Sequence, residues 1–325
     1  MLIVGAADVE TLLPLAECID AVEAAFRRLG LGSVEPPGVL GVHVPNGGFH
    51  VKVASLRSGR HWFAAKANGN FPGNPERHGL PSIQGVLFLA DADDGTPLAV
   101  MDSMRITELR TAAATAVAAR HLARADARVL TLVGCGAQAP SHLRALAAVR
   151  PLERVYLLDS DESRARTLAD RMRNELGISV DATTDLGRAV AASDIVVTCT
   201  TARVPILDER AARPGLLIAG VGADSPHKHE LAPSLLRAGK VVVDSLVQCS
   251  EIGDLHHAIE AGAMTREDVH AELATVVAHR APGRTGDDES FVFDSTGTAL
   301  QDVASAALVY ERAVAAGRGL TVSLA

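Results

Sequence analysis

The chain has 325 residues, 48% of them hydrophobic and 22% charged, with a formal net charge of −8. That length predicts about two domains with real cores, and the composition is globular rather than disordered. The negative charge argues against nucleic acid or an anionic membrane as partner, and no run approaches the roughly 18 apolar residues of a membrane span. Cys18, Cys135, Cys199 and Cys249 are too scattered for a disulfide framework, and Met1-Leu-Ile-Val-Gly lacks the basic flank of a signal peptide. Both features predict a reducing, cytoplasmic setting.

Residues 2–4 read as a short strand. Pro14 suits a helix start, and Leu15, Ile19, Val22, Phe26 and Leu29 then form one apolar stripe, ended by Gly30 and Gly32. Pro36-Pro37 opens a region rich in strands, read at 49–56, 61–67, 82–90 and 97–101, with turns at Asn46-Gly47-Gly48, Ser58-Gly59 and Asp94-Gly95. This antiparallel set predicts a domain of its own. Residues 106–122 form an alanine-rich helix with Thr107 as its expected N-cap, carrying the chain into the next domain.

From Val129 onward strands at 129–133, 155–159, 180–183, 195–199, 216–221 and 241–244 alternate with helical stretches. That alternation predicts a doubly wound parallel sheet of Rossmann type. Residues 291–294 look like a late strand, 280–289 like a mobile loop, and 297–315 like a helix returning to the first domain. The expected fold is therefore α/β. A Rossmann domain spans 123–295, and a second, α+β domain with an antiparallel sheet is built from 1–122 and 296–325.

The most specific motif is Gly134-Cys135-Gly136-Ala137-Gln138-Ala139, placed between a buried strand and a helix. In that setting Gly134 allows the tight turn, Gly136 lets backbone approach a pyrophosphate, and Ala137 and Gln138 lead into a helix N-terminus that favours anions. Asp159 ends the next strand, about 20 residues on, where adenosine ribose hydroxyls are expected. A carboxylate there favours NAD over NADP, although Arg164 and Arg166 stand nearby. Thr198, Thr200 and Val221 follow later strand ends and are further candidates for cofactor contact.

Three residues suggest chemistry. Lys66 shares a strand face with Trp62 and Ala64; burial there lowers an ammonium's pKa toward neutrality and makes it a usable proton donor or acceptor. The bland reading is a lysine snorkelling to the strand's end. Arg110, read as lying in the first turn of its helix, could grip a substrate carboxylate, with the Thr111 hydroxyl beside it. It could equally pair with Asp102 or Glu108. Asp224 follows a buried strand and two glycines, where it could orient a substrate amine or cap a helix. His227, His229, His256 and His257 lack the spacing of an ordinary zinc site, so no metal is expected.

Several motifs recur together in one family. They are Lys66-Ala-Asn-Gly-Asn-Phe-Pro-Gly-Asn74, Gly79-Leu-Pro-Ser-Ile-Gln-Gly85, Leu98-Ala-Val-Met-Asp102, Leu109-Arg-Thr-Ala-Ala113, Gly134-Cys-Gly-Ala-Gln138, Gly222-Ala-Asp-Ser-Pro226 and Ser295-Thr-Gly-Thr-Ala-Leu-Gln-Asp302. The chain resembles the ornithine cyclodeaminase/mu-crystallin family over nearly its whole length. The resemblance implies a split substrate-binding and dimerisation domain around a Rossmann domain, and a homodimer. It also implies a catalytic lysine at Lys66, a carboxylate-binding arginine at Arg110 and a catalytic aspartate at Asp224. Many members carry a second arginine just after the Pro-Pro; here Gly38-Val39 follows, which leaves Lys52 or Arg57 to supply the charge. The expected activity is NAD-dependent hydride transfer at the C–N carbon of a small amino or imino acid, as an imine reductase or amino-acid dehydrogenase. The alternatives are a redox-neutral cyclodeaminase of ornithine or lysine and a non-catalytic binding protein.

Overall fold

The structure, a computed structural model, describes residues 1–323. The chain begins with β1 (Leu2–Val4), α1 (Ala6–Leu12) and α2 (Leu15–Gly30). Next come β2 (Gly38–Val44), β3 (Gly47–Ser58), β4 (Arg60–Asn70), α3 (Asn74–His78), β5 (Ile83–Asp91), β6 (Pro97–Asp102) and α4 (Ser103–Leu122). The alternating part follows with β7 (Val129–Val133), α5 (Ala139–Val149), β8 (Arg154–Leu158), α6 (Glu162–Leu176), β9 (Ser179–Ala182), α7 (Leu186–Ala192), β10 (Ile195–Thr198) and β11 (Leu217–Gly220). It continues through α8 (Pro233–Ala238), β12 (Lys240–Val243), α9 (Leu246–Ile252), α10 (Asp254–Glu260), β13 (Ala271–Glu272), α11 (Leu273–Val277) and β14 (Phe291–Asp294), before α12 (Ala299–Ala316) and β15 (Leu320–Thr321). These elements fall into two compact units, one of Met1–Ala113 with Thr298–Ala325, the other of Ala114–Gly297.

The first unit is built on a seven-stranded sheet in the order β15-β1-β6-β5-β4-β3-β2, antiparallel except where β1 runs parallel to β6. The period of two divides its residues between two faces. One face carries Ala54, Leu56, Trp62, Ala64, Leu87, Leu89 and Met101, all buried, and α12 lies across β3 and β4. The other face carries Leu40, Val42, Phe49 and Val86, which remain 45–62% exposed. Asn46, at φ 68°, makes the β2–β3 turn, and Gly59, at φ 78°, makes the β3–β4 turn.

The second unit is an eight-stranded, wholly parallel sheet in the order β13-β12-β14-β11-β10-β7-β8-β9. The order reverses between β7 and β10, which marks the switch point of a doubly wound fold. β14, the last strand of this unit in sequence, inserts between β11 and β12. The strands are apolar on both faces, and Val196, Ile218, Leu236, Val241, Leu255 and Val292 join in one core cluster.

Two expectations need correction. Helix α4 starts at Ser103, so Thr107 lies inside it rather than capping it; the side chain of Asp102 instead accepts from the Arg105 amide at 2.7 Å. Arg110 therefore stands two turns into α4, beyond the reach of the helix dipole's positive end. Residues 280–289 are not a loose loop. Arg284 donates to the carbonyls of Leu122 and Glu289, and the Glu289 carboxylate accepts from the amides of Thr285 and Gly286.

Candidate active site

In the first unit Lys66 and Arg110 converge on one carboxylate. Strand β4 aims Lys66 toward the face covered by α12, whose first turn presents Asp302. The Lys66 ammonium lies 2.8 Å from each oxygen of Asp302 and 3.2 Å from the Thr107 hydroxyl. Arg110 comes in from α4, with Nε 2.9 Å from Asp302 Oδ1 and Nη1 donating to Gln301 Oε1 at 2.8 Å. Relative exposure is 3% for Lys66, 5% for Arg110 and 1% for Asp302. Arg110 thus pairs with neither Asp102 nor Glu108, but with an acid 192 residues away in sequence.

Burial pulls the Lys66 ammonium down to about 7, the Arg110 guanidinium pulls in the same direction, and Asp302 opposes both. Burial raises the Asp302 carboxyl, yet Lys66 and then Arg110 outweigh it and hold the group below the usual carboxylate range. The two cations keep Asp302 ionised, and Lys66 is the member that titrates near neutrality. A lysine in that state can donate or accept a proton at pH 7.

Lys52 on β3 is the direct cross-strand partner of Lys66. Arg57, the other candidate for extra positive charge, sits near the hairpin end with its side chain 58% exposed and bound to Asp93 at 2.7 Å. Thr111 is buried, and its hydroxyl donates back to the Thr107 carbonyl at 2.6 Å.

In the second unit the glycine loop joins β7 to α5. Gly134 has φ 99°, and a Cβ there would lie 2.7 Å from the Cys199 carbonyl oxygen, so only glycine fits between the two loops. Gly136 and Ala137 are exposed, Gln138 is half-buried, and a Cβ built on Gly136 meets nothing within 4 Å. Asp159, just past β8, accepts from the Cys135 amide at 2.7 Å and from the Asp161 amide at 2.9 Å, so its carboxylate braces the loop.

The loops after β10 and β11 are joined by one acid. Glu230 is fully buried, and its carboxylate accepts from the Thr198 hydroxyl at 2.8 Å and from the amides of Thr200 and Gly222, each at 2.6 Å. The Thr198 side chain is thereby consumed inside the protein, while Thr200 stays half-buried and Val221 is held by its amide to the Thr198 carbonyl. Asp224 is exposed and ion-paired with Lys228 at 2.6 Å. His257 donates through Nε2 to the Lys228 carbonyl and stacks on His229 at 3.9 Å. His256, His257 and Glu260 bring their ligand atoms within 4.8 Å of one another.

Asp302, Gln301, Thr107 and Glu230 are the residues that sequence reasoning missed as partners. Asp302 and Gln301 close the motif Ser295 to Asp302, so the signal was present, but no spacing rule ties it to Lys66 or Arg110.

A model of the ornithine cyclodeaminase/mu-crystallin family matches residues 1–317. The fold is similar to an archaeal alanine dehydrogenase dimer with bound NAD, at 35% identity and a TM-score of 0.95, covering 100% of this chain and 99% of that one. It is similar to the Delta(1)-pyrroline-2-carboxylate reductase of Thermococcus litoralis, solved with NADH and L-proline, at 33% identity and a TM-score of 0.93, covering 99% and 100%. It is also similar to the iminosuccinate reductase of Paracoccus denitrificans, solved with NAD+, at 33% identity and a TM-score of 0.91, covering 100% and 99%.

Proposed function

The chain belongs to the ornithine cyclodeaminase/mu-crystallin family, and on that premise we propose that it is an NAD(H)-dependent oxidoreductase acting at the C–N carbon of a small amino or imino acid. The observation that carries this reading is the buried Lys66–Asp302–Arg110 cluster, whose lysine titrates near 7. The second unit fits the cofactor. Open space over Gly136, a helix N-terminus at Ala139 and the Asp159 carboxylate suit a pyrophosphate and a ribose. Ala137, Gln138, Thr200 and Val221 complete that side. When bound, the nicotinamide supplies or accepts the hydride.

The residues divide the remaining work. Arg110 holds the substrate carboxylate with guanidinium N–H groups and so fixes the reacting carbon, a positioning effect. Thr111 braces the α4 turn that carries Arg110. Lys66 gives a proton to the nitrogen in the reducing direction and takes one in the oxidising direction. Asp302 keeps Lys66 from losing its proton altogether and restrains Arg110. Asp224 orients the amine once its ion pair with Lys228 opens.

The test is net consumption of NADH with cyclic and acyclic imino acids, read at the nicotinamide absorbance, beside a Lys66→Ala control. Turnover that vanishes in the control supports the reading. Ammonia released from ornithine without net NADH change assigns a cyclodeaminase instead, and NADH binding without turnover on a broad panel assigns a binding protein.

We propose further that the working form is a cytoplasmic homodimer. Leu40, Val42, Phe49 and Val86 stand exposed on one face of the sheet, an apolar patch of the kind that marks an interaction surface, and the cysteines are all free thiols. Among the described residues no helix is long and apolar enough to cross a membrane. Light scattering of the wild type and Val42→Glu tests the dimer, which the added charge should dissociate.

A further inference from the structure

Helix α12 opens with Thr298-Ala-Leu-Gln301, a threonine at the N-cap and a glutamine three residues on. That spacing offers a capping box, in which the hydroxyl accepts from the backbone N–H of the glutamine and the glutamine side chain accepts from that of the N-cap. Neither bond forms among the described residues. The backbone N–H of Gln301 is met by the Thr298 carbonyl at 3.2 Å, and the N-cap has no side-chain hydrogen bond. The Gln301 side chain turns to Arg110 instead, whose Nη1 donates to Oε1 at 2.8 Å. A guanidinium only donates, so this bond fixes which end of the amide is oxygen and which is nitrogen.

Gln301 Nε2 and Thr298 Oγ1 then have no hydrogen-bond partner among the described residues, although each residue is 1% exposed. Buried polar groups left unpaired cost stability, and here partners stood ready in the same turn of helix. Two side chains are withheld from their own helix end, next to the cluster that carries the chemistry. A local rule broken in such a place marks a functional use. The chemistry of the two atoms narrows that use. An amide nitrogen offers only donors and a hydroxyl offers one, so their ligand presents acceptors. The N-terminus of an 18-residue helix favours negative charge, and Gln301 already touches the arginine assigned to a carboxylate.

We propose that Gln301 and Thr298 are specificity residues that donate, through Nε2 and the hydroxyl, to the same substrate carboxylate that Arg110 holds. This rests on the hydride-transfer reading above. A carboxylate accepts at both oxygens and satisfies the guanidinium, the amide and the hydroxyl together. A carboxamide turns an NH2 group toward these donors and leaves buried groups unpaired, so the site selects an acid over the amide of the same shape. Gln301 thus has two tasks, holding Arg110 with its oxygen and the substrate with its nitrogen.

The experiment follows NAD+ reduction by L-proline against L-prolinamide, and by L-alanine against L-alaninamide, in the full-length wild type, Gln301→Glu, Thr298→Val and Thr298→Ser. The wild-type kcat/KM should favour the acid of a pair by about 100-fold or more. Gln301→Glu keeps an acceptor for Arg110 but sets a carboxylate against the substrate's own, so that ratio should fall about 100-fold, chiefly through KM. Thr298→Val should raise KM for the acid about tenfold with kcat within twofold, and Thr298→Ser should restore it. Circular dichroism melts confirm that each variant is folded, and if Gln301→Glu is not, the two Thr298 variants decide. An unchanged ratio in Gln301→Glu overturns the proposal, because the residue then serves Arg110 alone. An equal loss for acid and amide overturns it too, and so does an unchanged KM in Thr298→Val. If none of the four compounds turns over, calorimetry of cyclopentanecarboxylate against cyclopentanecarboxamide on the same proteins tests the two residues apart from the hydride-transfer reading. Selectivity for the acid that Gln301→Glu abolishes supports the proposal, and equal binding in the wild type or selectivity kept in the variant overturns it.

Discussion

Asp302 in the first unit and Glu230, Asp254 and Asp294 in the second are all shut away from water, yet they are stabilised by different means. Asp302 is held by a lysine and an arginine. Glu230 is held by a hydroxyl and two amides, Asp254 by the amides of Glu230 and Leu231, and Asp294 by the amide of Leu255. The cations keep Asp302 ionised and leave Lys66 poised to exchange a proton. Dipoles alone do not offset burial: desolvation raises Glu230, and it raises Asp254 and Asp294 well above the usual range, with the charge of Asp294 adding to the rise at Asp254 and the charges of Asp244 and Glu230 adding to that at Asp294. The first arrangement produces a reactive group, whereas the second fixes the loops that follow the strands.

The largest effect should come from removing the anion of the first arrangement. Asp302→Ala leaves two buried cations unanswered and should cost about 3–5 kcal/mol, read by urea unfolding, with activity lost as well. A gentler break is Asp302→Asn. In the wild type the reducing rate should fall as pH rises through about 7, where Lys66 loses its proton, and the oxidising rate should rise through the same range. Asp302 opposes the downward pull on Lys66, so Asp302→Asn should move both profiles to lower pH. An unmoved profile removes Lys66 as the titrating group.

In the second unit the effects should be smaller. Glu230→Gln turns an acceptor into a donor facing N–H groups and should cost about 1–3 kcal/mol while raising the KM for NADH. Asp254→Asn should cost least, about 1 kcal/mol or less, because the wild-type acid is already driven toward its neutral form. Its signature is in the pH dependence of stability. A carboxyl whose folded pKa lies above its unfolded value gives stability that is complete below the unfolded value and is lost as pH rises through the folded one. Asp254→Asn should flatten that decline in thermal melts taken from pH 4 upward.

Much of this was legible in the residues. The alternation of β-branched runs with helical stretches gave the parallel sheet, and the position of Lys66 beside Trp62 and Ala64 gave its burial, because both are local periodicities. Long-range partners were not legible. Nothing near Arg110 announces that its counter-ion is Asp302, on a helix that begins almost two hundred residues later. The start of α4 was missed because Ser103-Met104-Arg105 shows no apolar period, and the capping group, Asp102, lies in the preceding strand. The loop at 280–289 read as mobile from its polar composition, whereas its order comes from carbonyls that Arg284 reaches elsewhere in the unit.

The insertion of β14 between β11 and β12 sets the order of events at the ribosome. Leu217–Gly220 and Lys240–Val243 leave the exit tunnel with bare hydrogen-bonding edges, and the strand that fills the gap, Phe291–Asp294, is made some fifty residues afterwards. At ordinary translation speeds that gap lasts several seconds, during which two apolar strand edges are open to neighbouring nascent chains. Biogenesis of this protein should therefore depend on a holding chaperone more than its size alone suggests.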